Sequence, residues 1–203
     1  AEGILVETTG LGRGNDNDRR YLLSESQVSE DVTFTLKSDA PEFRTVMVRG
    51  SPETAPAAAS SRLTATKQVR TLTGGRVRLA DVRQGDQLVV SVALAPAERR
   101  VNPVIVADLL PAGFEIETVL RPADGARENA VDGAFAWLGS IARAKTSEAR
   151  DDRFVAAVDL VDRPQTLAYV VRAVTPGEFA MPGVVAEDMY RPGGFARSEP
   201  GRG

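Results

Sequence analysis

The stretch "FVAAVDLVDRPQTLAYVVRA", residues 154–173, decides the fold. In its first half Phe154, Ala156, Val158 and Leu160 fall at every second position, and in its second half Leu167, Tyr169, Val171 and Ala173 do the same. A period of two places one set of side chains on a single face of an extended strand, with the opposite set on the other face. Asp162-Arg163-Pro164, between the two runs, has the composition of a turn: a fixed φ from proline and an Asp side chain that bonds locally to the backbone. The chain therefore builds its core from half-buried strands.

The same pattern recurs outward from this stretch. Leu88, Val90, Val92 and Leu94 alternate within Gln87 to Leu94, and Val32, Phe34 and Leu36 within Asp31 to Lys37. Less regular runs at Phe43 to Val48, Arg76 to Val82 and Val104 to Leu110 are also expected strands. Ser38-Asp39-Ala40-Pro41, Thr73-Gly74-Gly75, Arg83-Gln84-Gly85-Asp86, Pro111-Ala112-Gly113 and Thr175-Pro176-Gly177 punctuate them as turns. Short strands at this spacing, without long helices between them, predict an all-β fold, an antiparallel β-sandwich. One segment breaks the period. Val131, Ala134, Phe135, Leu138, Ile141 and Ala142 have helical spacing, which predicts one short helix over 131–142, laid across an open edge or end of the sandwich with Trp137 as cover.

Residues 51–61, "SPETAPAAASS", are rich in Pro, Ala and Ser and have no period, so they read as an extended linker. The strands before the linker are too few for a sandwich of their own. The expected organisation is a partial β segment with linker over 1–58 and a sandwich domain over 59–203. The start Ala1-Glu2-Gly3 is neither an initiating Met nor a signal peptide, so the chain is expected to be an excised piece or a processed product.

Composition narrows the chemistry. With 203 residues and 42% hydrophobic content there is material for a real core. A net charge of −3, with its cations spread along the chain, leaves no electrostatic footprint for nucleic acid or anionic lipid. No run of eighteen apolar residues is present to insert in a membrane as a helix. The chain has no His, which removes the Ser-His-Asp triad, the His general base and most zinc sites. It has no Cys either, hence no thiolate nucleophile and no disulfide. The expectation is a non-enzyme with no cofactor and no metal.

Three short stretches invite sharper readings, and the first two fail them. Gly10-Leu11-Gly12-Arg13-Gly14 lacks dinucleotide-binding spacing, and no helix follows it. Asn15-Asp16-Asn17-Asp18 sets oxygen ligands in a row where a calcium loop needs alternate positions and a closing Glu. Arg150, Asp151, Asp152 and Arg153 crowd four charges at a strand entrance, either pairing among themselves or forming a docking surface. A hydrolase built on Asp151 and Asp152 is disfavoured, because neighbours on a strand point to opposite faces.

Four further stretches occur in order: "VADLLPAGFEIE" (106–117), "RDDRFVAAVDL" (150–160), "RAVTPGEFAMP" (172–182) and "EDMYRP" (187–192). Together they resemble the C-terminal macroglobulin domain of bacterial alpha-2-macroglobulins, over residues 62–203. Residues 32–52 resemble the closing strands of the preceding CUB-type module. The resemblance implies a macroglobulin-like sandwich within a broad-spectrum protease trap, periplasmic, with a parent that is lipid-anchored or secreted. In that family bait cleavage exposes a thioester formed in a Cys-x-Glu-Gln motif, which then acylates the protease. That motif is absent here. The resemblance therefore implies a regulatory role: the domain packs on the thioester domain of its own parent chain and shields the bond. The family places the shielding side chains in a Met-Tyr-x-Pro loop, matched here by Met189, Tyr190, Arg191 and Pro192. Both Met189 and Tyr190 are expected to be exposed where that partner is missing, and buried if they merely finish the core. An adhesion or binding module, as in other bacterial sandwiches carrying "LPAGFE", is the alternative.

Overall fold

Alternation becomes two packed sheets. The computed structural model describes residues 5–9, 33–37, 55–98, 102–123, 130–131, 133–191 and 193–202. The chain divides into two units, Ala1–Ser51 and Pro52–Gly203. In the first unit β1 (Leu5–Thr9) pairs antiparallel with β2 (Thr33–Lys37). The readings at Gly10 to Gly14, Asn15 to Asp18 and Phe43 to Val48 lie outside the described residues.

In the second unit, β3 (Ala59–Ser61) and β4 (Leu63–Thr71) are followed by β5 (Gln87–Pro96), β6 (Asn102–Leu109) and β7 (Phe114–Val119). Then come β8 (Thr146–Ala149), β9 (Arg153–Leu160), β10 (Gln165–Ala173) and β11 (Ala180–Met181). The last strands are β12 (Val185–Asp188), β13 (Phe195–Arg197) and β14 (Gly201–Arg202). One sheet has the order β4-β5-β10-β7, a second the order β3-β13-β12-β6-β9-β8, and β11 pairs with β14. The pairings within both sheets are antiparallel. The two halves of 154–173 thus belong to different sheets, and the turn at Asp162 to Pro164 carries the chain across the sandwich.

The faces that alternate in the sequence meet in the core. Leu88, Val90, Val92, Leu94, Leu167, Tyr169 and Val171 of one sheet pack on Val104, Val106, Phe154, Ala156, Val158 and Leu160 of the other. The rings of Phe154 and Tyr169 lie with centroids 4.7 Å apart across the layer. At about 25 cal/mol per Å² of apolar area removed from water, this layer is the main source of stability.

Two expectations need correction. Residues 76–82 are not a strand: Arg76 makes only an isolated bridge to Arg70, and Leu79–Asp81 is a 3₁₀ turn. Arg78 Nε donates to Asp81 Oδ2 at 2.7 Å and the Asp81 amide bonds the Arg78 carbonyl, which folds the segment back on itself. Val77 and Val82 still reach the core edge. The expected helix over 131–142 is shorter, a 3₁₀ helix at Gly133–Leu138. Gly133 and Gly139 have φ of +66° and +69°, a left-handed conformation that no α-helix continues through. The segment lies mainly over a face, with Trp137 as cover beside Leu72 just past the end of β4. Val131 and Ile141, with Phe135, Trp137 and Leu138, pack on Val89, Ala168 and Val170, the outward side chains of the four-stranded sheet. Trp137 Nε1 donates to the Leu72 carbonyl at 2.8 Å, which satisfies its polar edge. That sheet is therefore covered on both faces there, and β5 and β10 show buried residues in unbroken runs.

Candidate functional site

The connection between β12 and β13 is held by hydrogen bonds that the local sequence dictates. Asp188, at the end of β12, turns its carboxylate back: Oδ1 accepts the amides of Tyr190 and Arg191, each at 3.0 Å. This is the local Asx bonding that makes Asp a turn residue. The Asp188 amide donates to the Gly194 carbonyl at 2.8 Å, and the Gly194 amide to the Arg191 carbonyl at 3.1 Å, closing the loop. Gly193 has φ +87°, and a Cβ on Gly194 would stand 3.0 Å from the Asp188 Cβ, so both glycines have a geometric reason.

Two further contacts tie the loop to the sheet. The Met189 amide donates to the Pro103 carbonyl at 2.9 Å, extending the β12–β6 ladder by one bond. Arg191 Nη1 donates to Oδ1 of the buried Asn102 at 2.8 Å and lies 3.8 Å from Asp188 Oδ2. What this frame presents is apolar: Met189 is 50% and Tyr190 75% exposed. The expected exposure of both is found. Arg191 serves the frame, and Pro192 lies outside the described residues.

The charge cluster at 150–153 lies elsewhere. It forms the turn between β8 and β9, where the Arg150 amide donates to the Arg153 carbonyl at 2.8 Å and the Leu110 amide to the Asp152 carbonyl at 2.9 Å. Arg150 Nε pairs with Glu148 at 2.8 Å, and Arg153 Nε with Asp152 at 3.0 Å. The Arg153 hydrogen bond holds the Asp152 carboxyl below its ordinary range. Leu109, at one end of β6, is opposite Arg153, whereas Asp188 is opposite Val104 near the other end. The two groups are therefore separated by roughly 20 Å of strand and are not brought together. These exposed pairs contribute little to stability.

One polar constellation was not expected from the sequence. Asp108 continues the inward set Val104 and Val106 and is fully buried, while Lys67 continues Leu63 and Ala65 on β4. Lys67 Nζ reaches Asp108 Oδ1 at 2.6 Å and the Pro182 carbonyl at 3.3 Å, and Tyr169 OH donates to Asp108 Oδ2 at 2.7 Å. Burial pushes the Asp108 carboxyl up, and the Lys67 charge, then hydrogen bonds from Lys67 and Tyr169, pull it part of the way back. Burial beside that carboxylate also holds the Tyr169 phenol well above its ordinary value. The trio joins one sheet to the other, with side-chain exposure of 6% at Lys67 and 0% at Asp108. A cleft of about 200 Å³ near Leu120, Ala142, Phe154 and Leu167 contains no Asp or Glu in its lining, so converging carboxylates are not found there.

Comparison with known proteins now decides the family. Residues 63–193, from the start of β4 to the loop glycine, match the family model described as the bacterial alpha-2-macroglobulin MG10 domain. The chain belongs to the bacterial alpha-2-macroglobulin family. It is 34% identical over 168 residues to the alpha-2-macroglobulin of Xylella fastidiosa strain Temecula1, covering 81% of this chain and 10% of that protein. Two solved structures are similar. Escherichia coli alpha-2-macroglobulin activated by porcine elastase has TM-score 0.60 and 32% identity, covering 75% of this chain and 14% of that one. Salmonella alpha-2-macroglobulin reacted with methylamine has TM-score 0.66 and 27% identity, covering 95% and 12%. The chain thus spans about a tenth of the length of such relatives. Its macroglobulin fold is a β-sandwich, and the Met189–Tyr190 loop lies within the matched region.

Proposed function

We propose that this MG10 domain is a non-catalytic part of a periplasmic protease trap, in which the tip formed by Met189 and Tyr190 docks on the thioester domain of the same polypeptide and keeps water from the thioester. The observation that carries the reading is the combination of a loop fixed by five backbone and carboxylate hydrogen bonds with two large apolar side chains that it leaves exposed. A thioester survives only where water is excluded, and exclusion needs an apolar surface already in position. Met supplies an unbranched, adaptable plug, and Tyr an apolar body with a polar rim. Two relatives point the same way: the Salmonella protein reacts with methylamine, a small nucleophile, and the Escherichia coli protein is activated by a protease.

The test is Met189→Ala in the full-length parent, with the half-life of the thioester measured in water and in methylamine. A half-life shortened by about tenfold, corresponding to roughly 1.4 kcal/mol, is expected. An unchanged half-life sinks the reading. In the isolated chain the same substitution alters stability by less than about 0.5 kcal/mol, since it removes an exposed group.

A further inference from the structure

All four exposed large apolar side chains among the described residues, Ile105, Leu109, Met189 and Tyr190, lie on β6 or on the loop that follows β12. Their arrangement is continuous. Ile105 and Leu109 are 39% and 45% exposed on the outer face of the six-stranded sheet, where β6 alternates buried and open positions. The register sets Val185 opposite Ala107 and Glu187 opposite Ile105, and the Met189 amide extends that ladder to Pro103. Met189 therefore has the same parity as Val185 and Glu187 and lies at one end of the outer face. On either side, Val155 stands opposite Ala107 and Phe195 opposite Glu187, and both are only partly buried. The four-stranded sheet has a cover on its outer face, built from the 131–141 segment, whereas no described residue is seen to do the same for the six-stranded sheet.

We infer that the outer face of the six-stranded sheet, from Met189 to Leu109, is a second part of the docking surface for the thioester-bearing domain, so that the partner lies along the sheet and not only on the loop tip. The inference rests on the reading of the tip given above. Size selects the occupant. Six residues of strand and three strand spacings make a strip of about 20 by 14 Å, on the order of 300 Å². That falls well short of the ~800 Å² per partner that a stable complex of separate molecules buries, which argues against a second copy of this chain or a free protein. It suits a contact within one polypeptide, where tethering supplies effective concentrations in the millimolar range and the contact must still release. The chain is about a tenth of the length of its relatives, so tethered neighbours of the required kind are available in proteins of this family.

Charge refines the partner. Glu187 is exposed in the middle of the strip, between Ile105 and Phe195. A carboxylate covered by an apolar surface needs a cation against it. The partner face is therefore apolar with a Lys or Arg set opposite Glu187.

The experiment is carbene footprinting of the intact parent beside this chain alone, with the parent also labelled at a tenfold lower concentration. The expected result is that Ile105, Leu109 and Met189 are each labelled about fivefold less in the parent, independently of concentration. Protection of Met189 with equal labelling of Ile105 and Leu109 in the two samples overturns the inference and leaves the tip reading standing. Equal labelling of all three overturns both. Protection that disappears on dilution means a second copy and also overturns it. Leu109→Asp in the parent, at a position 45% exposed, is expected to restore labelling of Ile105 while the melting temperature of the isolated chain carrying it stays within a few degrees; continued protection of Ile105 counts against the strip.

Discussion

Replacing Lys67 by Met tests the buried trio. The substitution keeps an unbranched chain of similar volume, so its packing cost is expected to stay below about 1.5 kcal/mol. It removes the ammonium that lies 2.6 Å from Asp108, leaving a carboxylate with no exposed surface and only the Tyr169 hydroxyl as partner. Breaking a buried pair from one side in this way costs about 3–5 kcal/mol near neutral pH. That is a large fraction of the 5–15 kcal/mol by which domains are usually stable. With a urea slope near 2 kcal/mol/M, the midpoint falls by about 2 M. Trp137 is the only Trp in the chain and is packed on the second unit, so its fluorescence reports the transition.

The pH dependence separates an electrostatic origin from a packing one. The folded-state pKa of Asp108 is already raised above 3.8, so the folded state holds its proton more tightly than the unfolded chain does. This contribution favours folding most below about 3.8 and is lost as pH rises through the folded value. Removing Lys67 deletes the principal opposing effects and moves that value further up. The deficit of Lys67→Met relative to the parent sequence is therefore largest near pH 7 and shrinks as the variant takes up a proton, towards the packing cost alone near pH 4. A deficit below about 1 kcal/mol near pH 7, or one that stays constant down to pH 4, refutes the reasoning. The triple replacement Lys67→Met, Asp108→Leu and Tyr169→Phe removes all three polar groups together and is expected to regain most of the loss.

Three other outcomes follow from single contacts. Above about pH 10 the unfolded chain ionises Tyr169 while the folded state keeps it neutral, so stability falls by up to about 1.4 kcal/mol per pH unit; Tyr169→Phe loses that part of the alkaline slope in urea titrations. Gly183→Ala would place a Cβ 2.2 Å from the Ser198 carbonyl oxygen, a backbone atom that cannot step aside, and a melting temperature lower by about 6 °C or more is expected by calorimetry. Gly74→Ala combines φ +87° with a Cβ 2.7 Å from Trp137 Cδ2; it should destabilise by more than about 1 kcal/mol and shift the Trp137 emission to the red as the ring leaves Leu72.

The strands β5, β6, β9 and β10 were legible because each has one inward face whose residues must all be apolar or partnered. Period two follows directly from that requirement. The same rule concealed Asp108: a carboxylate at an inward position looks like the end of a strand face unless its cation is known, and Lys67 lies 41 residues away. The signal was present, since Lys67 continues Leu63 and Ala65 with the parity of a core residue, yet the pair has meaning only after the sheets are stacked. The segment 131–142 misled for the opposite reason. Its apolar spacing fits a helix, but the spacing only requires that Val131, Phe135, Leu138 and Ile141 reach one surface, and a 3₁₀ turn between two left-handed glycines achieves that as well. Strands of three or four residues, such as β12 and β13, are too short for periodicity to register.

The loop at 188–194 shows what residue identity adds where periodicity is silent. Asp188, Gly193 and Gly194 are a turn signal, and each has the geometric role that the signal implies. That Met189 and Tyr190 should project from a turn so thoroughly bonded is not a stability requirement, because exposed apolar side chains contribute nothing to this core. The trio at Asp108 and the loop anchor at Asn102 lie at opposite ends of β6, roughly 20 Å apart, and share no partner in the contacts described. Perturbations at such separations add independently. The fold can therefore be weakened through Lys67 without moving the loop, and the loop tip truncated without weakening the fold. A change in thioester lifetime caused by Met189→Ala at unchanged stability would then report docking alone, which makes the tip and the outer face of the sheet separable by experiment.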